Sequence, residues 1–175
     1  MPLDSIYDKF KSTLHLTSKD DSNDEYLSNS SLPVYNFDDI RTNYIESFSL
    51  ERIPMSADAF VKINASEMYL VEFKNGAISN REIFEIRKKM YDSLLLLCDL
   101  LGIGISQTRQ SLQFILVTNE RKRNDLAKRK VTSEKGNEHK TGYGLDDFVD
   151  IYYKDVHTVT AHDFQKQFVS NWETP

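Results

Sequence analysis

Two short runs of alternating residues, 59–63 and 69–74, constrain the fold of this chain most strongly. Both runs have a two-residue period and are rich in β-branched and aromatic side chains, which is typical of strands. Only residues 64–68 separate them, and that length suits a short hairpin loop. The pattern therefore predicts an antiparallel hairpin at the centre of the chain.

The predicted hairpin brings three charged side chains to one face. Pairing Val61 with Val71 places Asp58 on the same face as Glu72 and Lys74, because successive residues of a strand alternate between faces. A slip of one residue would move Asp58 to the other face and remove the cluster. The remaining residues of the second run are apolar, which favours a central strand whose charges need partners or a metal. The alternative is an exposed hairpin with a solvated Glu-x-Lys pair.

Asp58, a variable gap and the triplet Glu72-Phe73-Lys74 resemble the motif of the PD-(D/E)xK nuclease superfamily, which has the restriction-endonuclease-like fold. The proline of that motif is replaced by Ala57. The resemblance implies hydrolysis of phosphodiester bonds in DNA or RNA with Mg²⁺ or Mn²⁺. Asp58, Glu72 and the backbone carbonyl of Phe73 would bind the metal, and Lys74 would act on the attacking water. The alternative is a catalytically inactive binding or immunity module on the same scaffold.

Two flanking helices offer further candidates for this site. The family often adds an acid from the preceding helix, and Glu51 projects close to the apolar stripe of the helix predicted over 38–50. Three consecutive basic residues, Arg87, Lys88 and Lys89, lie on the long helix that follows the hairpin. One of them could reach a phosphate, or all three could form a solvated charged face.

The order of elements along the chain predicts an α/β fold with a mixed sheet core flanked by helices, as in restriction endonucleases. The pattern predicts a single domain over 1–175, with a core over 37–168 and an extension over 1–36. The predicted elements are an N-terminal helix over 3–14, a polar loop over 17–31, the helix over 38–50, the hairpin, a long helix from the Ser79/Glu82 capping box to Gly102, a strand over 112–118 parallel to 69–74, a further edge strand near 150–159, and a last helix capped by Thr160.

The charge of the chain is uneven. The net charge of −5 disfavours strong binding of nucleic acid, whose affinity comes from clustered Lys and Arg. Residues 121–140, however, contain eight Lys and Arg residues and three acids. We expect Arg121, Lys122 and Arg123 to contact a nucleic-acid backbone; the alternative is a solvated loop. Nucleic acid is the expected partner, and a protein partner remains open.

Several other classes of protein lack support in the sequence. The chain has no apolar run of membrane-spanning length and no N-terminal pattern of a secretory signal, so we expect a cytoplasmic protein without membrane association. The single cysteine, Cys98, lies in an apolar stretch of the predicted long helix, and this position predicts a packing role. No His or Cys spacing indicates a zinc site, and Gly102 and Gly104 mark a helix end and not a phosphate loop.

Overall fold

A six-stranded mixed sheet forms the centre of the computed structural model, which describes residues 8–119 and 142–173. The strands are β1 Lys11–Thr13, β2 Lys19–Asp20, β3 Glu25–Tyr26, β4 Pro33–Asn36, β5 Ala59–Asn64, β6 Glu67–Lys74, β7 Leu112–Thr118 and β8 Asp155–Thr160. The order in the sheet is β1-β4-β5-β6-β7-β8; the pairs β1/β4, β4/β5 and β5/β6 are antiparallel, and the pairs β6/β7 and β7/β8 are parallel. Strands β2 and β3 form a separate two-stranded hairpin. The α/β class and the mixed sheet are as predicted.

Helices cover both faces of the sheet. They are α1 Leu14–Thr17, α2 Phe37–Phe48, α3 Asn80–Leu101, α4 Ile105–Ser111 and a C-terminal helix made of Ala161–Phe164, the π-helical turn Gln165–Val169 and Ser170–Trp172; 3-10 turns span Asp8–Phe10 and Gly142–Phe148. Helices α2 and α3 pack on the face that carries Phe60 and Leu70. The C-terminal helix packs on the face that carries Val61 and Val71.

The predicted central hairpin is present as β5 and β6, with a different register. Val61 pairs with Tyr69 and Ala59 with Val71, so the predicted pairing of Val61 with Val71 is wrong by two residues. The turn is tighter than expected, because the pairing shifts at a bulge between Lys62 and Asn64. An even offset preserves the alternation of faces, and the predicted face of each side chain therefore holds.

Helix α3 connects β6 to β7 and makes their parallel pairing possible, since parallel neighbours need a crossover. Its predicted ends are confirmed. Ser79 and Glu82 form a reciprocal capping box at the start, and Gly102 closes the helix in the left-handed conformation with φ 63°. Ile86, Met90 and Leu94 lie on its buried face. At the other end of the fold, Thr160 caps the C-terminal helix as expected.

The N-terminal region differs from the prediction. A single helix over 3–14 is wrong within the described residues, because Lys11–Thr13 is a strand of the main sheet. Phe10 packs in the core under α2 and α3, whereas Leu14 is buried on the opposite face of the sheet. A helix would place these two residues on one stripe, which the packing does not allow. Residues 11–36 thus supply two strands of the main sheet.

Two further segments depart from the sequence pattern. The predicted polar loop over 17–31 contains the β2/β3 hairpin, held by hydrogen bonds among the buried Ser18, Ser28 and Ser30. The C-terminal edge strand is β8 alone, because Val149 and Tyr153 form only an isolated bridge before it.

Within residues 8–119 and 142–173, no single helix is long and apolar enough to cross a membrane. One pair, α3 with α4, passes a test of length and composition, but it is bent by 106°.

Candidate active site

The backbone fixes Asp58 at the start of β5. Its N–H donates to the carbonyl of Val71 at 3.0 Å, and its own carbonyl accepts from Phe37 N at 3.1 Å. The carboxylate turns toward β6, where Oδ2 accepts the N–H of Phe73 at 2.7 Å. A charge-assisted bond of this kind orients the acid and leaves its other oxygen directed into the site.

The residues before Asp58 tie the strand to its flanking helices. The N–H of Ala57 donates to Ser93 Oγ of α3 at 2.8 Å. The hydroxyl of the buried Ser56 donates to Asp38 Oδ1, on the first turn of α2, at 2.5 Å. These bonds anchor the acid between two helices and the sheet, so its position does not depend on a flexible loop.

Glu72 is fully buried and lies next to two lysines. Lys89 Nζ approaches both of its carboxylate oxygens, at 2.8 and 2.7 Å, and Asp58 Oδ1 at 3.4 Å. Lys74 Nζ lies 3.7 Å from Glu72 Oε1. Because one ammonium group contacts both acids, their oxygens are separated by less than the sum of those distances. The structure therefore brings together Asp58, Glu72 and Lys74, as the sequence predicted, and adds Lys89.

Burial dominates the electrostatics of the two acids. It raises the pKa of Glu72 to about 8, and the nearby charge of Asp58 adds to the rise while Lys89 and Lys74 oppose it. Burial also raises the pKa of Asp58, against the effects of Lys89 and of the Phe73 N–H. For Lys89, burial disfavours the charged form, but Glu72 and Asp58 outweigh it and the pKa rises. The lysine is therefore cationic at neutral pH, and it lies next to two acids whose charged forms are both disfavoured by burial.

The sequence placed Lys89 among three basic helix residues that could either reach a phosphate or form a solvated charged face. Its position relative to the buried stripe of α3 distinguishes it: it lies three residues after Ile86 and next to Met90, both fully buried. Lys88 is exposed and pairs with Asp92. Arg87 turns to the 3-10 segment, where it donates to the Gly144 carbonyl at 2.8 Å. Helical periodicity could therefore have singled out Lys89.

The predicted helix acid, Glu51, does not reach the site. Helix α2 ends before it, with Ser49 in the left-handed conformation at φ 51°, and Glu51 is exposed. Asp38, at the opposite end of the same helix, is the acid of this helix whose charge influences the site. Its charge contributes to the raised pKa of both Asp58 and Lys89, and Arg41 pairs with it at 3.2 Å.

The backbone of Phe73 points its polar groups past the end of β5. Its N–H reaches Asp58, and the N–H and C=O of one strand residue are directed to the same side. The neighbouring carbonyl of Lys74 points the other way and accepts from Asn119 N at 3.2 Å. The Phe73 carbonyl is therefore directed to the same side of β6 as the Asp58 carboxylate.

A cleft of about 380 Å³ opens over these groups. The β2/β3 hairpin forms its other wall and is fastened to the end of β6 through Asn75, whose amide donates to Asp20 Oδ2 at 2.8 Å and to Glu25 Oε2 at 2.7 Å. Asn119 donates in turn to Asn75 Oδ1 at 2.7 Å. The ionisable residues that line the cleft are Asp20, Asp21, Asp58, Glu72, Glu82, Lys19, Lys74 and Lys89. Acids outnumber lysines, so the cleft favours a cation.

The donor set suits a hard cation in its chemistry but is small. Within the described parts of the chain, no group of three or more His, Cys, Asp or Glu side chains is arranged to hold a metal. Two carboxylates, from Asp58 and Glu72, and the Phe73 carbonyl are available. Mg²⁺ is commonly bound through one or two carboxylates and retains several waters, so these oxygens fit such an ion.

The predicted nucleic-acid contacts, Arg121, Lys122 and Arg123, lie outside the described residues. Comparison of the chain with protein-family models, with curated proteins and with solved structures found no match.

Proposed function

We propose that this chain is a nuclease-like protein that hydrolyses phosphodiester bonds of DNA or RNA with Mg²⁺ or Mn²⁺. The observation that supports this best is the convergence of Asp58, Glu72 and Lys74 on one face, at the floor of a cleft. The even register offset preserves this arrangement, and it agrees with the motif of the PD-(D/E)xK superfamily, which the sequence resembles.

Each residue of the cleft floor has a separate role in this proposal. Asp58, Glu72 and the Phe73 carbonyl would hold the metal, which when bound supplies positive charge at the phosphate and lowers the pKa of a coordinated water. Lys74 orients the attacking water through its amine, which is held near Glu72 at 3.7 Å and is 23% exposed. The hydrogen bond from Phe73 keeps the Asp58 carboxylate oriented during the reaction.

The charge of the cleft explains why this activity would need the metal. Five acids line it against three lysines, so the metal-free cleft repels a polyanion. Arg121, Lys122 and Arg123 are proposed to bind the substrate backbone beyond the cleft, which would offset that repulsion without any part in bond breaking.

The test is a cleavage assay on single- and double-stranded DNA and RNA with Mg²⁺, Mn²⁺ or EDTA. Asp58→Asn retains an acceptor for the Phe73 N–H and removes the charge, and Glu72→Gln removes the buried charge. Glu46→Gln, at an exposed position of α2, is the matched control. We expect cleavage by the wild type and the control, loss in both site variants, and no cleavage in EDTA. Equal cleavage by all variants would contradict the assignment.

One observation favours a second function, a catalytically inactive binding or immunity module. Lys89 already pairs with both acids, so the cluster has a purely structural explanation. In that case no metal would support cleavage of any of the four substrates, and removing the two acids would change only stability.

A further inference from the structure

We propose that Lys89 is a built-in counter-ion that occupies the metal position in the metal-free protein and must leave when the divalent cation binds. This inference rests on the proposed function, since it concerns how that same site is loaded. It makes Lys89 a positioning residue that sets the affinity for metal, distinct from Lys74, which faces the reacting water.

The geometry places the ammonium group where the cation would bind. Lys89 Nζ contacts both oxygens of Glu72, at 2.8 and 2.7 Å, and one oxygen of Asp58 at 3.4 Å. These are the same oxygens that would coordinate Mg²⁺ at about 2.0–2.1 Å. The ammonium group and a metal ion cannot both lie between these carboxylates, because Nζ and the metal would be too close to each other and their charges repel.

The metal-free protein needs such a counter-ion. Glu72 is 0% exposed and Asp58 adjoins it, and two adjacent carboxylates in a buried place disfavour the charged form of each other. The long side chain of Lys89 supplies the compensating charge from α3, a rigid helix of 22 residues. The metal-free fold is thereby kept compatible with a preformed pair of metal ligands.

Lys89 also has room to leave. Its side chain is 18% exposed and lines the cleft, so rotation about its own bonds can carry the ammonium group into the cleft while α3 stays in place. A displaced ammonium group remains within the cleft, where it faces an incoming phosphate.

Lys88 provides a matched control on the same helix. It is exposed and pairs with Asp92, one turn further along the same helix. Lys89→Met and Lys88→Met therefore make the same chemical change one residue apart. Only the first removes the charge between Asp58 and Glu72.

The experiment is titration of metal-stripped protein with Mn²⁺ at fixed pH and salt, followed by calorimetry and by the spin resonance of free Mn²⁺. We expect Lys89→Met to bind Mn²⁺ at least about tenfold more tightly than the wild type, and Lys88→Met to match the wild type. Wild-type binding with equal or weaker binding by Lys89→Met would overturn this inference and leave the proposed function standing. Absence of binding by both proteins would overturn both.

A second measurement uses the wild-type protein and does not depend on the folding of a variant. Each lysine is labelled with an amine-reactive reagent in increasing Mn²⁺, and mass spectrometry compares Lys89 with Lys88. Displacement predicts that Mn²⁺ increases the labelling of Lys89 severalfold and leaves Lys88 unchanged. Labelling of Lys89 that falls or stays constant while Mn²⁺ binds would overturn the inference.

Discussion

The two faces of β6 solve the problem of burial in different ways. On one face, Tyr69, Val71 and Phe73 pack against the C-terminal helix, where Phe73 meets Phe164 edge-on at 5.8 Å. On the other face, the apolar Leu70 is followed by Glu72, which is as deeply buried and whose negative charge is compensated by Lys89. From Tyr69 onward, the strand packs aromatic and aliphatic side chains on one side and ends in an ionic cluster on the other.

This difference separates what the fold needs from what the site needs. Burial of apolar surface contributes about 25 cal/mol per Å², whereas a buried ion pair often contributes nothing relative to apolar residues of similar volume. The face with Phe73 therefore stabilises the fold, whereas the buried charges on the face with Glu72 contribute less than apolar side chains would in their place. A strand that accepts this loss on one face only is the pattern expected where chemistry, and not packing, determines the residues.

The largest effect should come from the apolar face. Phe164→Ala removes a fully buried ring that contacts Phe73, Phe168 and Trp172, and should lower the free energy of unfolding by about 3–5 kcal/mol. Denaturant unfolding measures this. The control Phe84→Ala, at a ring that is 68% exposed, should stay within about 0.5 kcal/mol of the wild type.

On the charged face, Lys74→Ala should act on chemistry and hardly on stability. We expect cleavage to fall by at least about a hundredfold, because the role proposed for this lysine is to act on the attacking water. The free energy of unfolding should change by less than about 1 kcal/mol, since the side chain is partly exposed and its pairing distance is long. Lys166→Ala, at an exposed position of the C-terminal helix, should leave both unchanged. Loss of activity only through unfolding would make Lys74 structural.

The wall of the cleft should respond to Asn75→Ala. This change removes the two bonds to the β2/β3 hairpin and the one from Asn119, and should cost about 1–3 kcal/mol. Hydrogen exchange should become faster at residues 18–28 and stay unchanged in β6. Uniform protection in the variant would show that the hairpin is held by its serines alone.

The last prediction concerns pH. The folded pKa of Glu72, about 8, exceeds its ordinary value of 4.5, so the folded state binds its proton more tightly. Stability from this group is complete below pH 4.5 and is lost as pH rises to about 8. In metal-free buffer, the free energy of unfolding of the wild type should fall more steeply across this range than that of Glu72→Gln. Parallel curves of unfolding free energy against pH would contradict the raised pKa.

The sequence predicted the faces of β5 and β6 because alternation survives a two-residue offset. It did not predict the offset, which depends on the bulge between Lys62 and Asn64, a local irregularity without a compositional signature. Helix α3 was predictable at both ends because its caps are local motifs. The β2/β3 hairpin was missed because its strands have two residues each and are held by serines and by Asn75, distant in the chain.

Ala57 has a further consequence for the mechanics of the site. A proline at this position would have no N–H, whereas the N–H of Ala57 donates to Ser93 of α3 at 2.8 Å. In this chain, a hydrogen bond to a helix restrains the backbone at the position where the PD-(D/E)xK motif has a proline ring. Helix α3 also carries Lys89, four residues earlier along the chain. Helix α3 therefore positions both Asp58, through the bond to Ala57, and the lysine that pairs with it. A tilt of this helix would shift both residues together.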